Sequence, residues 1–310
     1  LVLEACARLA DGSRSRAELG RVEFTEQRRP TPLAPIPARE DGELIAVCMA
    51  TFEPEMALFE VQLESLRAQH DQRWVCVISD DCSRPEHFER ILAAIGSDQR
   101  FAVSRSEERL GFYRNFERAL GLAPTQAGLL ALCDQDDRWH PDKLQTLRAA
   151  LGQATLAYSD QRIVDAGGQV LRDTLWRGRR NNHDDLAAML VANTITGAAT
   201  LFTRALLELA LPFPDTPGFQ FHDHWLAVAA LAAGDVAYVD RPLYDYVQHP
   251  GAVFGDVTHG TSSGAGTLRG RMQSRLRLRP RTNWRAAYFY GYLAREAQAQ
   301  VLLVRLAGRL

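Results

Sequence analysis

A chain of 310 residues exceeds the roughly 150 of an ordinary domain, so it can bury a large core without metal or disulfide staples. Hydrophobic residues at 46% and charged residues at 24% give the balance of a globular protein, which excludes intrinsic disorder as the main state. Its 36 lysines and arginines nearly cancel 38 aspartates and glutamates, and a net charge of −2 argues against a nucleic-acid partner.

Residues 1–40 read as an N-terminal extension. A helical-looking stretch from Leu1 to Leu9 leads through charged residues to Pro30, Pro32, Pro35 and Pro37, which favour an extended linker. Residues 41–255 read as one α/β unit. Its apolar runs LIAVCMA from Leu44, WVCVIS from Trp74, FAVS from Phe101, GLLALC ending at Cys133 and ATLAYSD from Ala154 predict strands. Helices are predicted between them at Met56 to Gln69, Pro85 to Ile95, Phe112 to Leu122 and Pro141 to Leu151. This alternation predicts a doubly wound, mostly parallel sheet with helices on both faces. The second half is less regular: a glycine-turn hairpin in IVDAGGQVL, a strand in TGAATLF, and helices at Arg204 to Ala210 and Asp223 to Ala233. Residues 256–310 read as a Gly, Ser and Thr linker, an arginine-rich stretch and an amphipathic helix from about Trp284.

Cys6, Cys48, Cys76, Cys82 and Cys133 are odd in number and lack CxxC spacing, so they read as free thiols in a reducing compartment. With no apolar run of roughly 18 residues and no signal-like start, a cytoplasmic protein that does not span the membrane is expected.

The chemistry gathers where open α/β sheets bind ligands, at the carboxyl ends of strands. Asp80 and Asp81 follow WVCVIS, and Asp134, Asp136 and Asp137 follow GLLALC. Three carboxylates within four residues repel one another unless a cation joins them, and a hard divalent ion with oxygen ligands, Mg²⁺ or Mn²⁺, suits them. A helix cap at Pro141 explains one such aspartate but not three.

Five segments occur in order: CMATFEP, SDDCS, ERLGFYRNFERAL, CDQDDRWHPDKL, and FHDHW with LYDYVQHPGAVFG. Together they resemble family 2 of the inverting glycosyltransferases, of GT-A fold, and more narrowly its bacterial rhamnosyltransferase-like members. The resemblance covers about Leu44 to Gly255. It implies that Thr51 and Glu53 line the nucleotide pocket, that Asp81 recognises the base, and that Arg109, Gly111, Arg114 and Asn115 border the nucleotide and sugar. The family often has Asn in place of Arg109. Further along, the resemblance implies that Asp134 reaches the ribose or sugar, that Asp136 holds the metal on the diphosphate, and that Asp137 belongs to the donor site, either touching the sugar or backing the residues that do. Lys143, the only lysine of the chain, reads as a solvated helix charge.

An inverting transfer needs a carboxylate to take the acceptor's proton, and Asp223 in FHDHW matches the family's base. Its place at a helix start also suits a structural role. His222 and His224 read as packing residues, and Trp139 and Trp225 as core. His249 in YVQHPG lies where the subfamily places a metal or diphosphate contact, although Val247 and Ala252 replace its usual Arg and Asn.

The resemblance therefore implies transfer of a sugar from a dTDP- or UDP-linked donor to a hydroxyl of a cell-surface glycan or lipid-linked acceptor. Arg269, Arg271, Arg275, Arg277, Arg279, Arg281 and Arg285 give the tail a composition able to lie on an anionic membrane face. Two rivals stand beside this reading. One is a sugar nucleotidyltransferase, although CMATFEP lacks the glycine-rich basic loop that a triphosphate needs. The other is a non-catalytic nucleotide-sugar or glycan-binding module.

Overall fold

The computed structural model describes residues 2–8, 14–21, 43–176, 181–215, 220–249 and 284–308. It divides into two compact units, residues 1–30 and 31–310. In the first, β1 (Val2–Arg8) and β2 (Arg14–Arg21) pair as an antiparallel hairpin. The stretch expected to be helical from Leu1 is thus a strand. Seven residues are too few to hold a helix alone, whereas pairing with Arg14–Arg21 satisfies their backbone.

The second unit opens with β3 (Leu44–Thr51), α1 (Met56–Arg67), β4 (Trp74–Asp80), α2 (Pro85–Ile95), β5 (Phe101–Arg105), α3 (Phe112–Gly121) and β6 (Ala127–Cys133). It continues through β7 (Arg138–Trp139), α4 (Lys143–Leu151), β8 (Leu156–Asp165), β9 (Val170–Arg172) and α5 (Leu186–Val191). A 3₁₀ turn at Gly197–Ala199 leads into β10 (Thr200–Thr203), α6 (Arg204–Ala210), α7 (His222–Ala233), β11 (Val236–Gln248) and α8 (Trp284–Ala307). The strands join in the order β5-β4-β3-β6-β10-β8-β11-β7, with β9 beside β8. β5, β4, β3 and β6 are parallel, as are β8 and β11, while β10, β7 and β9 run antiparallel to their neighbours.

Local sequence explains most of these elements. β3 and β4 are buried along almost their whole length, so helices must cover both faces, and their sequences are unbroken apolar runs rather than alternating ones. Pro85 starts α2, where its missing N–H is no loss, and Gly96 ends it at φ +65°. Thr203 caps α6 by accepting the N–H of Leu206. The glycine-turn hairpin joins β8 to β9, with Asp165 accepting the N–H groups of Gly167 and Gln169.

Three elements have no clear signal in the sequence. β7 is two residues long, α5 is six, and β11 contains Pro242, around which its register against β8 shifts. One buried carboxylate ties β7, β8 and β11 together. Asp245 accepts from Arg138 Nε at 2.8 Å, from Arg162 Nε at 2.6 Å and from the His140 ring at 3.0 Å.

The last helix packs against α6 and α7. Arg305 donates to the carbonyls of Leu209 and Ala210 at 2.7 and 2.8 Å and stacks over Trp225, while Ala294 and Leu302 are buried. Among the described residues no helix is long and apolar enough to cross a membrane. Arg269 to Arg281 and Ala252 lie outside the described residues, as does the side chain of Arg285.

Candidate active site

The adjacent strands β4, β3 and β6 end side by side, and their carboxyl ends carry Asp81, Phe52 and Asp134 in a row. Two non-glycine residues with positive φ sit there, Glu53 at +39° after β3 and Cys82 at +59° after β4. Such strain collects where surrounding contacts hold a functional loop in place. Here the Glu53 N–H donates to Ser83 Oγ, which in turn donates to Asp80.

Beyond β6 an acid cluster forms. His249 Nε2 lies 2.9 Å from Asp136 Oδ2, which joins two residues 113 positions apart. Asp137 is buried and uses Oδ1 to accept the N–H of Val247, while its Oδ2 has no hydrogen-bond partner. Burial and the charges of Asp136 and Asp223 push the Asp134 carboxyl up to about 7. The same causes, burial and its neighbours Asp134 and Asp136, raise Asp137 well above the usual carboxylate range.

Asp223 stands in the first turn of α7 and faces this cluster across the sheet edge. The N–H of His224 donates to its Oδ1 at 2.6 Å, and the N–H of Gly197 also points to it. Burial nevertheless lifts its carboxyl to about 6. Gly197 is required by close approach: a Cβ there would meet the His222 ring nitrogen at 2.7 Å and Leu132 at 3.3 Å. His222 stacks on Phe116 with ring centroids 3.8 Å apart, and His224 bonds the carbonyl of Met189. Both are packing residues, as expected, and Trp139 and Trp225 are core.

Lys143 corrects the sequence reading. It is wholly buried, not solvated: its ammonium lies 3.5 Å from the Trp139 ring centroid and 4.5 Å from that of Tyr244 and donates to the Ala198 carbonyl. The proline and acidic residues around it placed it on a helix start but gave no sign that β11 would cover it. Burial lowers its ammonium to about 7, against the pull of Cys133, Asp137 and Asp134. This cation counters the acid cluster from beneath and holds the turn whose Gly197 N–H reaches Asp223. Lys143→Met is therefore expected to leave stability within about 1 kcal/mol, because relief of the burial penalty offsets the lost hydrogen bond. Turnover is expected to fall about tenfold, as a lost charge-assisted contact of this size would give; parallel urea titrations and initial rates measure the two effects.

The second group of expected site residues surrounds Asp81. Its carboxylate accepts from Arg109 Nε at 2.7 Å, Leu110 N at 2.6 Å and Gly111 N at 2.9 Å, and Gly111 has φ +79°. The Arg109 guanidinium lies over the Phe52 ring, 3.1 Å from its centroid. Gln135 joins the two groups, because its side chain accepts the N–H of Phe52 at 2.8 Å from inside the acidic segment.

Other expected residues are engaged elsewhere. Thr51 is buried, its hydroxyl on Asp80 and its carbonyl accepting from Asn115. Asn115 also bonds Ser79 and thereby clips α3 to the ends of β3 and β4. Arg114 bonds Glu117, the Phe213 carbonyl and Asp215, and Glu53 pairs with Arg84 at 2.7 Å. Phe52, Gln135 and Lys143 are absent from the site expected from sequence. The first two lay inside recognised segments, but neither residue type signals its role.

A cavity of about 650 Å³ lies apart from this edge, between α1 and the Arg138, Asp245 and Arg162 cluster. None of the acid cluster lines it, and the chemistry belongs to the strand ends.

A profile of glycosyl transferase family 2 matches residues 47–209, just over half of the chain. The chain belongs to glycosyl transferase family 2. Its mixed, mostly parallel sheet with helices on both faces is of GT-A type. Among solved structures it is similar to S. aureus TarS residues 1–349 in complex with UDP-GlcNAc, with a TM-score of 0.53 and 17% identity. That match covers 75% of this chain and 65% of the other. A second structure of TarS 1–349 gives a TM-score of 0.51 at 18% identity, over 66% of this chain and 60% of that one. Among curated proteins, the uncharacterized protein y4gI of Sinorhizobium fredii (strain NBRC 101917 / NGR234) is 29% identical over 133 residues. This alignment takes in 42% of the chain and 14% of that relative.

Proposed function

We propose that the protein transfers a sugar, with inversion, from a nucleoside diphosphate donor to a hydroxyl of a cell-surface glycan or lipid-linked saccharide. The observation that carries this reading is Asp223 set across the sheet edge from the acid cluster, at a carboxyl pKa near 6. A base with that value is mostly ionised at neutral pH yet still basic enough to accept a proton.

A divalent ion fits the donor set. Among the described residues no three His, Cys, Asp or Glu side chains converge on one point. Asp136 and His249 are two donors in contact, and a Mg²⁺ or Mn²⁺ that takes its remaining ligands from substrate phosphates and water needs no more from the protein. The unpartnered Oδ2 of Asp137 beside them suits a neighbouring polar ligand. Asp136 and His249 would hold the ion, whose chemistry when bound is to neutralise charge on the departing diphosphate.

The chain's own residues do the rest. Asp223 accepts the acceptor's hydroxyl proton as that oxygen bonds to the anomeric carbon, and the bond from the anomeric carbon to the diphosphate oxygen breaks with its electron pair on the nucleoside diphosphate. Hydrogen bonds from His224 and Gly197 fix the carboxylate's direction. Buried Lys143, when protonated, offsets part of the negative charge of Asp134 and Asp137.

Rhamnose from dTDP, by resemblance of motifs, and a UDP-linked hexose are the donors we propose. The TarS structure supports the second through its bound UDP-GlcNAc. We place the reaction at the cytoplasmic face of the membrane, a compartment that suits the free thiols Cys48, Cys76, Cys82 and Cys133. There the arginine-rich stretch would meet anionic lipid. Calorimetric titration with UDP and dTDP is the test, run with Mn²⁺ and again with EDTA. Metal-dependent binding of one nucleotide is expected, with Asp136→Ala weakening it at least a hundredfold, the scale of a lost metal ligand. Binding of neither under any condition would refute the donor site.

A further inference from the structure

Independently of the donor reading, we infer that the cavity between α1 and the strands β7, β8 and β11 is a binding site for a neutral saccharide unit, separate from the strand ends. Its volume of about 650 Å³ falls within the roughly 300–1,000 Å³ of small-molecule sites. One wall is a single face of α1. Ala57, Val61, Glu64 and, at the C-cap, Ala68 recur at helical spacing with Glu60 beside them, and all five are exposed. The opposite wall carries Arg138, Arg162 and Asp245.

Charge on these walls is already balanced, whereas hydrogen-bonding capacity is not. Arg138 and Arg162 each bind Asp245 through Nε and Nη2, and Glu64 pairs with Arg67 at 2.6 Å. Asp245 and Glu60 offset the two guanidinium groups, so a small anion or cation gains no net attraction from the permanently charged lining groups. Each guanidinium nevertheless keeps its Nη1 amino group without an acceptor among the described residues, on side chains that are 44% and 32% exposed. On the helix wall the exposed Glu60 and Glu64 carboxylates keep lone pairs for hydroxyl donors. A pyranose ring matches this pattern: its hydroxyls both donate and accept, and its C–H faces suit Ala57, Val61 and Ala68. A peptide fits less well. β7 ends the sheet but is two residues long, too short to template an added strand. Val61 is the one large hydrophobic side chain exposed in the cavity among the described residues, so the wall lacks the series of anchors a docking helix needs.

The test is ligand-detected NMR titration of the full chain with neutral trisaccharides of glucose, galactose, mannose and N-acetylglucosamine, beside inorganic phosphate and glycine betaine as anionic and zwitterionic probes. At least one trisaccharide is expected to bind with a Kd of about 1 mM, and phosphate and betaine at least about tenfold more weakly. Val61→Arg, which fills the cavity from an exposed position, should weaken that saccharide at least about tenfold, and Glu60→Ala about fivefold, the scale of one hydrogen bond. Urea midpoints check that each variant is folded, and Ala57→Arg, on the same helix face, replaces Val61→Arg if it is not. Three results overturn the site: no trisaccharide bound up to about 20 mM; wild-type saccharide affinity in either folded variant; or phosphate or betaine bound as tightly as the saccharide and equally lost in the variants. None of these readouts uses a nucleotide, so failure here leaves the donor reading standing, and failure of UDP and dTDP to bind leaves this site standing.

Discussion

Asp223→Asn is expected to lower turnover about a thousandfold, within the range that a positioned general base contributes, while the donor KM stays within about twofold. The substitution keeps the shape and the hydrogen bonds from His224 and Gly197 but removes the proton acceptor. In the wild type, kcat should rise with pH to a plateau above about 6, because the base acts only when ionised. The variant's residual rate should lack that limb. A pH–rate profile of both proteins checks this, and equal loss of kcat and donor binding would remove Asp223 from the role of base.

The same residue carries a stability consequence of opposite sign. Its folded carboxyl, raised from 3.8 to about 6, holds a proton more tightly than in the unfolded chain. Across that window the folded state binds more protons, so ionising Asp223 as pH rises works against the fold. Asn should therefore be the more stable form at pH 7.5, by about 1–2 kcal/mol once partial solvent screening is allowed for, with the advantage gone by about pH 4. Urea unfolding at the two pH values measures it. A base poised for chemistry is in this sense held against the preference of the fold.

Asp245→Ala should give the largest loss of stability, about 3 kcal/mol at neutral pH. The carboxylate is fully buried and serves Arg138, Arg162 and His140 at once, so its removal leaves two guanidinium groups on β7 and β8 and the imidazole that follows β7 without their common partner. Arg138 and Arg162 are partly exposed, which lets them regain water and keeps the loss at the lower end of the range for a broken buried pair. These cations hold the Asp245 carboxyl far below the usual carboxylate range, despite the opposing effect of burial. Its contribution is thus fully present above about pH 4, the unfolded value, and is lost as pH falls toward the folded one. Urea midpoints for wild type and variant should differ at pH 7 and converge below pH 4. A constant gap down to pH 2 would show that packing, not charge, makes the difference.

Most of the parallel half of the sheet was legible because its physics is local. Runs such as LIAVCMA and WVCVISD are apolar throughout because both faces are covered, and Pro85 and Gly96 mark a helix start and stop by backbone geometry alone. The acidic aspartates after β6 were legible for a related reason: three adjacent like charges need an explanation wherever the chain goes. Weak signals failed where pairing decided the outcome. Val2–Arg8 became a strand because Arg14–Arg21 lies beside it, and β11 runs through Pro242 because β8 supplies a partner on both sides of the shift.

Sequence by itself determined the strand and helix alternation from β3 to β6, the family and the acidic residues available for chemistry, since each rests on residue types and short-range spacing. Tertiary structure alone decided how these groups meet. It brought His249 to Asp136 and put Gly197 behind Asp223. It also laid Arg109 on Phe52 and sank Lys143 under Trp139 and Tyr244. Apart from Lys143 on nearby Trp139, these are long-range contacts made as the strands fold into one sheet edge, and burial then sets the charge state of what it encloses. Neither the contact nor the burial is encoded in any one segment.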